Sequence, residues 1–189
     1  MNPALNVPRL LQIGSTGRNS GKTVVATELI QRFKQQHRLV GLKIVTITGE
    51  RGKCQRGGVG CGICTSIDSG YELTEEKQLK GQKDTMRLLA AGCEQVFLLK
   101  AFTDHLLAGF NTFLNQIPAD AAVICESNSL RQVVRPGLFL MLTNHRHRPI
   151  KPTAAKVYPQ SDLVFNAKQA QMLDQIQLNQ LAWQTSLLV

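Results

Sequence analysis

Polar and apolar positions along this chain fall into short runs that switch between the period of a strand and the period of a helix. Arg9–Ile13 carries the first apolar run and predicts a strand. Val24, Val25, Leu29, Ile30 and Phe33 recur at helical spacing and predict a helix over Gly21–His37. β-Branched residues dominate Val40–Ile47, a second strand. The periodicity lapses from Thr48 to Ser69, where glycines crowd together with three of the five cysteines. A loop of that length inside a compact domain is usually functional or mobile.

Order resumes with Leu73–Leu79 and Lys83–Ala91, both read as helices, the second stopped by Gly92. Gln95–Leu99 is a short strand. Thr103 is placed to cap a helix over Asp104–Gln116, closed by Pro118. Ala121–Cys125 is apolar throughout, as a parallel strand buried on both faces should be. Gly137–Thr143 repeats that pattern, and Leu163–Phe165 shortens it. Ala167–Leu178 predicts the last helix. Met1–Pro8 reads as an unstructured leader, and Asn179–Val189 fits neither period. Strands alternating with helices predict a single α/β domain over residues 1–189, a mostly parallel sheet covered by helices on both faces. Ligands of such sheets bind at the carboxyl ends of the strands.

Composition sharpens this only slightly. The 189 residues suffice for a real core. A net charge of +9 suits an anionic ligand. No aromatics interleave with the basic stretch His145–Lys156, so a nucleic-acid stacking platform is not expected. No run reaches the length of a membrane span, and no secretory leader is visible, so a cytoplasmic location without a membrane partner is expected. There, cysteines serve metal or thiol chemistry before structural disulfides.

The chemistry concentrates in Gly14–Thr23, Gly-Ser-Thr-Gly-Arg-Asn-Ser-Gly-Lys-Thr, between the first strand and the first helix. That is the context of a phosphate-binding loop of the nucleoside triphosphatase type. Gly17 and Gly21 let the backbone wrap a phosphate without an intervening Cβ. Gly17, Arg18, Asn19, Ser20, Gly21, Lys22 and Thr23 are the expected nucleotide contacts, with amides turned inward at the positive end of the helix. Lys22 would reach the β- and γ-phosphates, and the Thr23 hydroxyl would bind Mg²⁺, the cofactor expected with ATP or GTP. Thr16 stands where the general pattern has glycine, so the loop is a variant. Glu126 closes the apolar strand, as a Walker-B carboxylate does, and Asp84 opens the helix after Lys83. Together with Lys22 they form the expected catalytic set. Asp68 and Glu50 lie in the glycine-rich loop. Asn144 and Asn166, each following a strand, are candidates for a base edge, which leaves adenine and guanine both open.

These segments resemble, in order, the family of molybdopterin-guanine dinucleotide biosynthesis protein B. Arg18–Thr23 is similar to its loop, and Gly41-Leu42-Lys43 lies on the second strand. Lys83-Asp84-Thr85 with Ala91-Gly92-Cys93, and Val123–Glu126, are similar to two further segments of that family. It belongs to a broader group of phosphate-loop proteins that contains dethiobiotin synthetase and nitrogenase iron protein. The resemblance implies nucleotide phosphates and Mg²⁺ at Lys22 and Thr23, with Asp84 and Glu126 beside them. It further implies a homodimer that partners cofactor-assembly proteins and assists formation of the guanylylated molybdenum cofactor. Thr16, Ser127 after Glu126 and the cysteine-rich insert depart from the family's pattern.

Cys54, Cys61 and Cys64 form Cys-x₆-Cys-x₂-Cys. They suit a [4Fe–4S] cluster with one open iron, or Zn²⁺ with a fourth ligand from Cys93, Cys125, a histidine or a second subunit. Cys61 and Cys64 also suit a redox pair. Cys93 and Cys125 sit in apolar segments, as small core residues do. The expectation is a nucleotide-binding, slowly hydrolysing accessory protein of metallocofactor assembly. The alternative is an ATP-dependent ligase or kinase related to dethiobiotin synthetase.

Overall fold

Seven strands form one sheet: β1 (Leu5–Ser15), β2 (Leu39–Ile47), β3 (Tyr71–Glu75), β4 (Gln95–Phe102), β5 (Ala122–Glu126), β6 (Val134–Thr143) and β7 (Leu163–Asn166). Their order across the sheet is β3-β4-β2-β5-β1-β6-β7, and every pairing is parallel except that of β3 with β4. This computed structural model describes residues 4–48, 67, 70–144 and 149–187. Cys54, Cys61 and Cys64, together with Glu50 and Asp68, lie outside the described residues.

The expected α/β layering is present. All five residues of β5 are buried, because strands flank both its edges and helices cover both faces. Leu11 and Ile13 of β1 join α1 (Lys22–Phe33) and α2 (Asp84–Ala91) in one core. Val7 and Leu10 face the opposite core under α3 (Leu106–Gln116), with Phe110 and Phe113. A short α4 (Pro152–Ala155) follows β6. Among the described residues no helix is long and apolar enough to cross a membrane.

Four sequence expectations are corrected. Leu5–Pro8 of the expected leader belong to β1: Leu5, Asn6 and Val7 pair with Val134, Arg135 and Pro136 before the register shifts towards Leu11. Pro8, which has no N–H for the ladder, sits in that shift and hides the strand from a periodicity reading. A Cβ on Gly137 would overlap the Pro8 carbonyl there. Leu73–Leu79 is not a helix; Tyr71–Glu75 is an edge strand, with Glu72 opposite Lys100 at 3.2 Å and Leu73 opposite Leu99. Thr103 opens a 3₁₀ turn rather than capping α3, and its hydroxyl donates to the Ile47 carbonyl at 3.4 Å. Ala167–Leu178 is not a helix either: a 3₁₀ segment over Ala170–Gln175 leads into β8 (Ile176–Asn179). β8 pairs antiparallel with β9 (Ala182–Thr185) through Gln180 and Leu181, both left-handed at φ 48° and 61°. Trp183 of β9 is 1% exposed, donates its indole N–H to the Arg9 carbonyl at 3.0 Å and meets Phe33 edge-on.

Candidate functional site

The carboxyl ends of β1, β2, β5 and β6 converge where β1 turns into α1. Thr16 continues the strand, its N–H donating to the Leu142 carbonyl at 2.9 Å. It has no positive φ, which explains why threonine fits where the general loop pattern has glycine. The left-handed positions of the loop are Asn19 (φ 54°) and Gly21 (φ 83°). Asparagine tolerates that region and glycine is free in it, and alternating handedness turns successive amides towards one concavity. Gly21 is required twice over, since a Cβ there would lie 2.6 Å from the Ala167 Cβ. A Cβ on Gly17 would make only ordinary contact, 3.5 Å from the Asn144 Nδ2. The α1 N-terminus has neither an acidic residue in its first turn nor a side-chain cap. No residue of its own first turn offsets its positive end; the carboxylate beside it is that of Asp84, bonded to Thr23.

The side chains above the loop form a chain of contacts. Lys22 Nζ donates to Ser15 Oγ at 2.9 Å. Thr23 Oγ1 donates to Asp84 Oδ1 at 3.0 Å. Lys43 Nζ reaches Asp84 Oδ2 at 2.7 Å and Glu126 Oε2 at 2.8 Å. Register places Lys43 directly across from Glu126, and Glu126 across from Ile13, so β2, β5 and β1 fix this geometry. The Glu126 side chain is fully buried, and its Oε1 has no hydrogen-bond partner among the described residues.

Burial, then the neighbouring Lys43 ammonium, holds Lys22 below the ordinary lysine value. Burial pulls Lys43 down too, but the Glu126 charge and the bonds to Asp84 and Glu126 outweigh it and raise Lys43. Burial pushes Asp84 up, yet its contacts with Lys43 and Thr23 carry it below the usual carboxylate value. A cavity of about 390 Å³ opens over this network, and its wall carries Arg18, Lys22, Lys43, Arg87 and Lys151 against Asp84 and Glu126. Five cations facing two carboxylates make it an anion-seeking cavity.

The loop is braced from β5 and β6. Asn128 clamps Ser15 on both sides: its Oδ1 accepts the Ser15 N–H at 2.7 Å, and its Nδ2 donates to the Ser15 carbonyl at 2.9 Å. A Cβ on Gly14 would lie 2.8 Å from the Asn128 Oδ1 and 2.9 Å from Phe139, so the first loop position needs glycine for packing. The Lys151 N–H donates to the Thr16 carbonyl at 3.0 Å. Asn144 Nδ2 donates to the Arg18 carbonyl at 3.2 Å.

Arg18–Thr23, Asp84 and Glu126 therefore line one cavity, whereas Gly17 and Asn144 are not among its lining residues; Asn144 is tied to the loop through the Arg18 carbonyl. Asn166 does not join them; its Nδ2 donates to the Thr143 carbonyl, and its Oδ1 accepts from the Lys168 N–H. Cys93 and Cys125 are core residues, and burial pushes the Cys93 thiol up to about 12 and that of Cys125 well above its ordinary value. Among the described residues no cluster of three His, Cys, Asp or Glu side chains could hold a metal. Sequence reading assigned no role to Asn128, Arg87 or Lys151 and placed Lys43 only within a strand. A lysine inside the apolar run of β2 was the available signal for Lys43.

The class that fold and site define is an α/β protein with a mostly parallel sheet and a cationic cavity at its carboxyl edge. Comparison with known proteins returns no matching family model, curated protein or solved structure.

Proposed function

We propose that this chain binds a nucleoside triphosphate, ATP or GTP, with Mg²⁺, and hydrolyses it slowly. The observation that carries this is the loop geometry: two left-handed residues, Asn19 and Gly21, at the uncapped N-terminus of α1, below a cationic cavity. Lys22 is positioned to leave Ser15 for the β- and γ-phosphates. Thr23, Asp84 and Glu126 fit a divalent cation chemically: a hydroxyl joined to one carboxylate, and a second carboxylate whose buried Oε1 lacks a partner. That cation, when bound, neutralises phosphate charge. Glu126, on the cavity wall, is the carboxylate suited to orient an attacking water. Asn144, at the loop rim, is the candidate base contact.

The sequence resemblance and the Cys54-Cys61-Cys64 spacing extend this reading to an accessory protein of metallocofactor assembly. That protein would act as a homodimer with a cofactor-assembly partner and hold Zn²⁺ or an iron–sulfur cluster at the cysteines. The dethiobiotin-synthetase-like alternative draws on Arg87 and Lys151, two cavity cations outside the phosphate loop that suit a second anionic substrate. Lys22→Ala tests the core of the proposal: nucleotide binding disappears by calorimetry while the far-ultraviolet spectrum persists. Unchanged nucleotide binding sinks it. Iron, zinc and sulfide content after anaerobic purification tests the cysteine assignment, and absence of both metals removes it. Multiple turnover on a small acceptor would favour the ligase or kinase over the accessory protein.

A further inference from the structure

Lys43 is more than one partner in an ion pair. Its ammonium sits at hydrogen-bond distance from two carboxylates, 2.7 Å from Asp84 and 2.8 Å from Glu126. Asp84 in turn holds the Thr23 hydroxyl at 3.0 Å. Two carboxylates converging on one point, one of them also holding the hydroxyl at the start of the helix, are the ligand chemistry of a hard divalent cation. Here that point carries an ammonium supplied by the chain itself. Glu126 Oε1, on the second of these carboxylates, is buried without a hydrogen-bond partner among the described residues. The seat thus has coordination capacity that a lysine does not use.

We propose that Lys43 is a built-in counter-ion that occupies the divalent cation's seat between Asp84 and Glu126, and that Mg²⁺ must displace it when the nucleotide arrives. This deepens the nucleotide reading and rests on it. The charges explain why the occupant must change. With Lys43 in place the two carboxylates are half neutralised, and Lys22 stands in the same cavity. Adding a divalent cation while Lys43 stays would set like charges against each other at close range. With Lys43 displaced, the metal takes the carboxylates, and the released ammonium faces a cavity filled with phosphate oxygens. Metal and nucleotide then enter together, because the incoming anion compensates the displaced lysine. Metal alone is held weakly, and two carboxylates never face each other bare.

The test uses the full chain without nucleotide and Mn²⁺ as the probe, with free Mn²⁺ read by electron paramagnetic resonance. Wild type should bind Mn²⁺ weakly. Lys43→Met and Lys43→Gln should each tighten it about tenfold or more, the range that one nearby charge moves a binding equilibrium. Lys43→Arg, which keeps the charge, should leave binding weak. The double variant Lys43→Met with Glu126→Gln should lose the gain. Thermal melts provide a second readout, with Mn²⁺ raising the midpoint of Lys43→Met or Lys43→Gln more than that of wild type. If neither neutral variant binds Mn²⁺ more tightly than wild type, Lys43 is a fixed structural pair and the proposal falls. Nucleotide binding by wild type is measured separately. Its absence alongside tighter Mn²⁺ binding refutes the nucleotide reading and leaves the seat; its presence without tightening refutes the seat alone.

Discussion

Asn128→Asp should turn the brace of the loop between β1 and α1 against itself. In the native protein the Asn128 amide accepts the Ser15 N–H at 2.7 Å and donates to the Ser15 carbonyl at 2.9 Å. The aspartate is nearly isosteric, so packing against Gly14 is preserved. The first bond survives, but the second becomes a carboxylate oxygen facing a carbonyl oxygen beside fully buried Ser15. Losing that bond removes about 1 kcal/mol, and leaving a half-buried acceptor opposed adds about 1–3 kcal/mol. A chain of this size loses roughly 2–4 °C per kcal/mol, so the midpoint should fall by roughly 5–15 °C at neutral pH. The penalty should also titrate. The charged form is disfavoured in the folded state, so the introduced carboxyl has a folded pKa above its unfolded one. Its relative stability is fully present below the unfolded pKa and lost as pH rises through the folded pKa. Urea unfolding of wild type and variant at neutral pH and at about pH 4 measures both effects. An equal penalty at the two pH values, or a total below about 0.5 kcal/mol, would refute the clamp as described.

The Lys43 network should shape the pH profile on both limbs. Asp84 contributes stability above its unfolded pKa and loses it as pH falls through the lowered folded value. Lys43 contributes below its unfolded pKa and loses it as pH rises through the raised folded value. Asp84→Asn should therefore flatten the acid limb of the urea stability profile, and an unchanged limb would count against the network. Cys93 and Cys125, buried with thiols held protonated, should resist iodoacetamide until the chain unfolds; mass spectrometry showing native labelling at either would contradict their placement. Gln180→Asn combined with Leu181→Gly should stabilise the β8–β9 hairpin by about 1 kcal/mol, since both positions are left-handed. A loss of stability in chemical denaturation would show that the turn depends on those side chains.

The strand–loop–helix unit and the buried β5 were legible because each declares itself within a dozen residues. Their packing follows from that local pattern and the parallel order. The C-terminal hairpin was misread because Met172, Leu173 and Ile176 are spaced three and four apart, which satisfies the helical period as well. Only the turn at Gln180 and Leu181 decides between them. Strand β3 was misread because what holds it is cross-strand, Glu72 on Lys100 and Leu73 on Leu99, and not local propensity. In the site, Lys22, Thr23, Asp84 and Glu126 were each visible at the end or start of an element. Asn128 was not, since its only distinguishing contacts reach Ser15 across 113 residues. Lys43 was visible as an oddity in an apolar strand, but its meaning appears only when register sets it opposite Glu126.

The position of β1 has a consequence for how the molecule comes into being. β1 is synthesised first, yet it lies between β5 and β6, and its loop is braced by Asn128 from 113 residues downstream. Trp183, whose indole seals Arg9, arrives 174 residues later. At ribosomal speed, Leu10, Leu11 and Ile13 wait roughly 6–25 s for the strands that will cover them. During that interval an apolar segment with two open edges is available to chaperones and to neighbouring nascent chains. Ligand cannot shorten the wait, because the cavity that would recognise it is lined by residues from Arg18 through to Lys151. The sheet around β1 therefore closes only through long-range pairs, once β5 and β6 have both been made.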